Sequence, residues 1–268
     1  MADKLIKDTP VLTGNTLEQS DVIPVCLPLD GTIKNITVEN LLQAALVECK
    51  SLNNMCKCLT NRLSDPNLGK PNNIIINQFY GGTGGSVSHN FVELYNPTDS
   101  SVSLDGKALH YCTTTSVTKI TLTGSIPAKT SFLIKGGVGS AANPGELIGL
   151  SWLDISAKTA DMTIENTFAN KKIGFILTDN TTDITVEQLA NVSSISGVID
   201  AVATTDDKGG IPPFVIGSPA QDQSKQKSIR RILFSKTNSN KYDFEIVDYR
   251  LKENLKKAPK CVADGAWE

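Results

Sequence analysis

The sequence predicts a mainly β protein in which one long helix separates an extended N-terminal arm from a larger β-domain. Two apolar runs within residues 74–97, IIINQFYGGTGGSVSHNFVELYNP, read as β-strands joined by a glycine-rich loop. Apolar and polar residues go on alternating through several later segments up to residue 258. Apolar residues between 38 and 63 instead recur at helical spacing, which accounts for the one predicted helix.

Composition favours an ordinary globular protein with no general affinity for nucleic acid. The chain has 268 residues, 40% apolar and 20% charged, and a formal net charge of −2. Charge is uneven, because residues 225–260 hold 11 Lys/Arg against 4 Asp/Glu. This segment is either a docking region for an acidic partner or a solvated surface, and the sequence leaves both interpretations open.

The N-terminus and the cysteines predict a protein made in the cytoplasm, with no membrane span and no metal site, and we expect no cofactor. Residues 1–4 lead into no apolar leader, and no apolar run approaches the roughly 20 residues of a membrane span. Cys56 and Cys58 are the only close pair of cysteines, and a zinc site needs a second pair. Reduced, buried thiols are the interpretation we adopt.

Residues 1–36 are predicted to be extended. The run Asp21–Leu29 is apolar but interrupted by two prolines, which suits an edge strand or an arm lying on a neighbouring subunit. The stretch from Thr13 to Leu46, TGNTLEQSDVIPVCLPLDGTIKNITVENLLQAAL, resembles a short N-terminal module of tailed-phage virion proteins. That resemblance implies attachment to a capsid or tail subunit, through Val22, Ile23, Pro24, Val25 and Leu27.

Residues 37–64 are predicted to form one helix, with Thr37 as the N-cap and residues 65–71 as a linker. Its apolar positions are spaced 4, 3, 4, 3, 4, 3 and 4 residues apart, an unbroken heptad seam of Val38, Leu42, Ala45, Cys49, Leu52, Cys56, Leu59 and Leu63. This strict period favours a self-associating coiled coil over a helix packed on its own domain. The seam leaves dimer and trimer open, and the phage-like neighbourhood favours a homotrimer.

The run Phe91–Pro97 reads FVELYNP, and Gly124–Lys129 reads as a turn before a strand. Through these motifs, residues 72–258 resemble the lamin-tail domain, an immunoglobulin-like β-sandwich. Further matches, in family order, are residues 198–202 with a V-V-D strand and two closing motifs, S-x-x-R from Ser228 and N-x-x-D-F around Asp243. The resemblance implies a binding or structural module, and it leaves residues 259–268 as a C-terminal tail.

No catalytic constellation is evident in the sequence. The glycine-rich loop lacks the G-K-[ST] of a phosphate loop, and the two histidines, His89 and His110, read as surface or edge residues of strands. Asp179, Asp183 and the pair 206–207 read as turn residues instead of calcium ligands. We therefore expect no catalytic and no metal-binding residues.

These observations lead to one principal expectation of function. The chain is expected to be a non-enzymatic structural or attachment protein of a tailed-phage virion, as a head fibre, tail or capsid-decorating subunit. Its sandwich would present loops such as 80–90, 136–150 and 204–227 to other virion proteins or to a host surface. The alternatives are a cellular or surface binding module that contacts protein or glycan, and a self-contained hydrolase.

Overall fold

A computed structural model describes residues 22–26, 33–37, 71–82, 84–139, 152–205, 212, 214 and 217–267 of the protein. The chain divides into two compact units, Met1–Leu68 and Gly69–Glu268. Each unit is described by itself below.

The first unit contains an antiparallel pair of strands, β1 (Val22–Cys26) and β2 (Ile33–Thr37), in which Val22 faces Thr37. The predicted extended arm therefore folds back on itself here, and one edge of β1 is already paired. Thr37, the expected helix N-cap, is the last residue of β2. The predicted attachment residue Leu27, the helix 37–64 beyond Thr37 with its whole seam, and nearly all of the 65–71 linker lie outside the described residues.

The second unit is a β-sandwich of a six-stranded and a four-stranded sheet, with a two-stranded ribbon. The strand order is β10-β9-β4-β3-β13-β14 in the larger sheet, β12-β11-β6-β7 in the smaller and β5-β8 in the ribbon. The strands are β3 (Ile75–Tyr80), β4 (His89–Tyr95), β5 (Val102–Ser103), β6 (Ala108–Cys112), β7 (Val117–Thr121), β8 (Ser125–Ile126), β9 (Ser131–Val138), β10 (Met162–Thr163), β11 (Gly174–Thr178), β12 (Val198–Ala203), β13 (Lys227–Arg231) and β14 (Phe244–Asp248). Short helical turns span Glu187–Ser194, Asn240–Asp243, Lys252–Lys257 and Val262–Asp264.

The main core lies between the two sheets. Alternate residues of each strand point into it, as the period of two in the sequence requires. Phe79 of the larger sheet meets Phe175 of the smaller one edge to face, with ring centroids 5.0 Å apart. Ile173, Phe175 and Leu177 alternate in the sequence, and all three are buried in this core.

Each sheet also carries an apolar cluster on its outer face. Outside the larger sheet, residues such as Tyr80, Phe91 and Leu133 are covered by Leu153, Ile155 and the C-terminal segment. Outside the smaller sheet, Cys112 and Ile176 are covered by the helical segment around Leu189. The segment 259–267, expected as a tail beyond the sandwich, thus packs on it, with Cys261 buried.

A buried ion-pair network joins the two sheets. Arg231 of β13 lies 2.6 Å from Asp200 of β12, and its Nε donates to the carbonyl of Ile76. The Nη1 atom of Arg231 donates to the carbonyl of Ser235 and lies 3.5 Å from Asp243. Asp200, Arg231 and Asp243 come from three of the sequence motifs quoted above, and the fold brings them together.

Candidate interaction surface

The residues that follow β13 form a tight turn, Ile232–Ser235, with an unusual backbone. The N–H of Ser235 donates to the carbonyl of Ile232 at 2.9 Å, and the two central residues both have positive φ, 48° at Leu233 and 56° at Phe234. Turns of this kind strongly prefer Asn and Gly, because a Cβ atom strains a left-handed backbone. Arg231 supports the turn from below through its bond to the Ser235 carbonyl.

This turn displays apolar side chains to solvent. Leu233 is 89% exposed and Ile232 is 37% exposed. Phe234 instead folds back and stacks on Tyr95 of β4, with ring centroids 4.0 Å apart. Phe234 therefore anchors the turn, and Leu233 projects from it; we call Leu233 and its turn the Leu233 knob.

Beside the knob, Trp267 ties the C-terminal segment to the larger sheet. Its indole Nε1 donates to Ser131 Oγ at 2.8 Å and to Glu93 Oε1 at 3.2 Å. The guanidinium carbon of Arg230 lies 4.7 Å from the indole ring, and Lys260 Nζ lies 4.5 Å from it. The indole thus holds two cations at the surface and two polar groups beneath it.

Glu93, beneath the indole, is fully buried. Burial raises the pKa of its carboxyl group, against hydrogen bonds from Ser131 and Gln78 and the positive charge of Arg230. Its oxygens are occupied by Gln78 and Trp267 and are closed to solvent. Glu93 is therefore part of the scaffold under the surface and does not reach a ligand.

The surface around the knob is basic. Within residues 225–260, Arg231, Arg250 and Lys257 are neutralised by close acidic partners. Arg230 and Lys260 are half-buried beside Trp267, next to the knob. Part of the positive excess noted in the sequence thus lies at this surface, which is suited to an acidic partner.

The two histidines differ in their surroundings. His89, at the start of β4, is partly exposed, and its Nδ1 lies 3.1 Å from Ser88 Oγ. Ser88 and Asp154 are its neighbours, but the Ser88 hydroxyl is buried and accepts the N–H of Ile155. That arrangement does not expose a nucleophile.

His110 was expected at a surface or an edge, and that expectation is wrong because its side chain is completely buried. Its Nε2 lies 3.2 Å from the hydroxyl of Thr178, which itself donates to the carbonyl of Asn180. Nε2 therefore carries the proton, and Nδ1 has no hydrogen-bond partner among the described residues. Burial, together with the charge of Lys119, lowers the pKa of His110 to about 4, and Asp183 opposes this shift.

We expect His110 to make the protein less stable in mild acid. Because the folded pKa is depressed, the unfolded chain binds the proton first as pH falls below 6.5, and stability is lost on the way to the folded pKa. The loss should reach about 2 kcal/mol by pH 5. Urea unfolding of the wild type and of His110→Gln at pH 7 and pH 5 measures it. The difference in free energy of unfolding between the two proteins should be smaller at pH 5 than at pH 7. An unchanged difference would contradict a depressed pKa for His110.

The described residues place the other predicted features as follows. The backbone N–H of Asp179 donates to the carbonyl of Gly197, and the side-chain amide of Asn180 donates to the carbonyl of Ser196, so these bonds join the predicted turn to a later segment of the chain. In the described part of the chain, no group of three or more His, Cys, Asp or Glu side chains is placed to hold a metal ion. No helix in that same part is long and apolar enough to cross a membrane. Most of the loop 136–150 lies outside the described residues, as do residues 206–211, 213, 215 and 216 of the loop 204–227.

Comparison with known proteins assigns this chain to no family. No family model matches the sequence, and no curated protein matches it. Among solved structures, a DUF4876 family protein from Bacteroides thetaiotaomicron is similar over 66% of this chain and 71% of its own length. The identity is 15% and the TM-score is 0.39. The mainly β, sandwich-like character of this chain rests on its own sheets and not on this likeness.

The Leu233 knob and the role of Trp267 were not predicted from the sequence. Neither residue belongs to a recognisable pattern, because Leu-Phe is not a turn signal and Trp267 stands alone near the end of the chain. The usable signal was an apolar triplet, Ile232–Phe234, placed between the basic strand β13 and the polar run 235–241.

Proposed function

We propose that this chain is a non-enzymatic structural and attachment protein of a tailed-phage virion, as a head fibre, tail or capsid-decorating subunit. The observation that carries the proposal is the Leu233 knob on a basic surface of a β-sandwich. Apolar side chains held in solvent by a strained turn are typical of protein-binding surfaces. The virion-like N-terminal sequence supplies the class of partner.

In this proposal the N-terminal residues 22–27 bind a capsid or tail subunit, and the seam from Val38 to Leu63 holds three copies together. Weak attachment of each arm then acts jointly through avidity. The sandwich is presented outward, to neighbouring subunits or to a host-surface ligand. Neither nucleic acid nor a membrane nor a cofactor takes part in this scheme.

Light scattering of the full-length chain beside a chain beginning at Asn72 tests the oligomer. We expect a trimer for the full-length chain and a lower mass for the chain that begins at Asn72.

Antibody labelling of gradient-purified phage particles tests the location of the protein, and labelled particles are the expected result. A chain that stays monomeric and is found only in the soluble fraction would favour the alternative, a cellular binding module.

A further inference from the structure

The second unit carries a pocket that complements the Leu233 knob. It lies at the end of β11, has a volume of about 80 Å³, and is lined by Thr178, Ile184, Gln188 and Ile195 among others. One water molecule needs only about 10–15 Å³, so this pocket has room for a four-carbon side chain. Ile184 and Ile195 give it apolar walls.

The surroundings of this pocket are acidic. Asp183 forms part of its lining, and Asp179 and Glu187 are exposed nearby in sequence. Lys119 pairs with Asp183 at 2.6 Å and offsets part of this charge. The knob and the pocket thus have opposite electrostatic surroundings, basic at Arg230 and Lys260 and acidic at Asp179, Asp183 and Glu187.

We propose that Leu233 of one copy of this chain inserts into the Ile184–Ile195 pocket of a second copy. An 89% exposed leucine gains its burial free energy only when it docks, and this pocket supplies apolar walls of suitable size. The basic surface around the knob then faces the acidic rim, which favours encounter in this orientation.

A sugar ligand fits the knob less well than a protein does. Two rings beside the knob are already engaged, Trp267 by Arg230 and Lys260, and Tyr95 by Phe234, and the 68% exposed Tyr242 has Lys241 Nζ 5.8 Å from its ring. The side chain that projects furthest into solvent is the branched aliphatic Leu233, at 89% exposed, and it needs an apolar hole in its partner. A second copy offers that hole together with the complementary charge.

The contact joins two different surfaces, so it is heterologous and produces closed rings or open chains of copies. It lies entirely within residues 178–267. It therefore requires neither the N-terminal attachment nor the predicted coiled coil. A test of this contact is independent of a test of the virion assignment.

Disulfide trapping in the full-length protein tests the contact directly. Leu233→Cys and Gln188→Cys are prepared as separate proteins, mixed, and oxidised, and mass spectrometry identifies the linked peptides. We expect a disulfide between position 233 of one copy and position 188 of the other. The matched control replaces Leu233→Cys with Leu251→Cys, since Leu251 is another exposed leucine, at 44%. Equal trapping of the two pairs, or none, overturns the proposal.

Sedimentation velocity over a range of concentrations gives a second measurement. Leu233→Asp should weaken association of the sandwich at least tenfold, and Leu251→Asp should leave it unchanged. High salt should weaken the wild type in the same direction. A Leu233→Asp protein that associates like the wild type overturns the inference, and the knob is then assigned to a different protein partner.

Discussion

Replacing Arg231 by alanine is expected to destabilise the second unit by about 3–5 kcal/mol. The guanidinium is completely buried and lies 2.6 Å from Asp200 and 3.5 Å from Asp243. Without it, two buried carboxylates lose their cation, and the carbonyl of Ile76 loses a donor. The expected loss in free energy of unfolding is therefore the cost of leaving these buried groups without the Arg231 guanidinium.

Urea unfolding followed by circular dichroism measures this loss as a fall in the transition midpoint with an unchanged slope. Arg250→Ala is the matched control, because Arg250 also lies 2.6 Å from its acidic partner, Asp248, but is 37% exposed. The control should lose less than about 1 kcal/mol. Similar losses in the two variants would show that the buried network contributes no more than a surface pair.

Replacing Gly85 by alanine is expected to cost about 3 kcal/mol, at the upper end of what overpacking costs. A Cβ atom on Gly85 would overlap the carbonyl oxygen of Lys225 and the hydroxyl of Tyr80. The Lys225 carbonyl accepts the Tyr80 hydroxyl and the N–H of Ser86, so it has little freedom to move.

Gly84→Ala is the matched control in the same loop. No atom lies within 4 Å of a Cβ added there, but Gly84 has a φ of 67°, so its replacement costs about 1 kcal/mol of backbone strain. Thermal or urea unfolding should rank the proteins as wild type, Gly84→Ala and Gly85→Ala in order of falling stability. The reverse order of the two variants would mean that this loop is limited by backbone conformation and not by space.

Strands of the second unit could be predicted because the pattern of apolar and polar residues that defines a strand lies within a short segment of sequence. Residues 173, 175 and 177 alternate with their neighbours, and a period of two fixes a common face without knowledge of the partner strand. The antiparallel pair β3 and β4 was predicted differently, from two apolar runs on either side of the glycine-rich loop. The loop was predicted from its glycine content alone, whereas the structure shows that Gly85 is needed for close packing against Lys225.

The candidate site could not be predicted because it depends on contacts distant in sequence. Glu93 and Trp267 are 174 residues apart, and no local pattern pairs them. His110 is buried because a helical segment covers the outer face of the smaller sheet. Alternation within β6 gives no information about that covering segment. The left-handed Leu233 turn is imposed by its anchors, Phe234 and Arg231, against the preference of its own residues.

The position of β3 in the larger sheet has a consequence for synthesis of the protein. β3 lies between β4, which follows it at once, and β13, whose Arg231 bonds to Ile76 from 155 residues further along the chain. While the ribosome makes the intervening residues, one edge of an apolar strand has no native partner, and such edges invite pairing with other chains. The nascent chain is therefore most exposed to aggregation late in translation, until β13 emerges to close that edge.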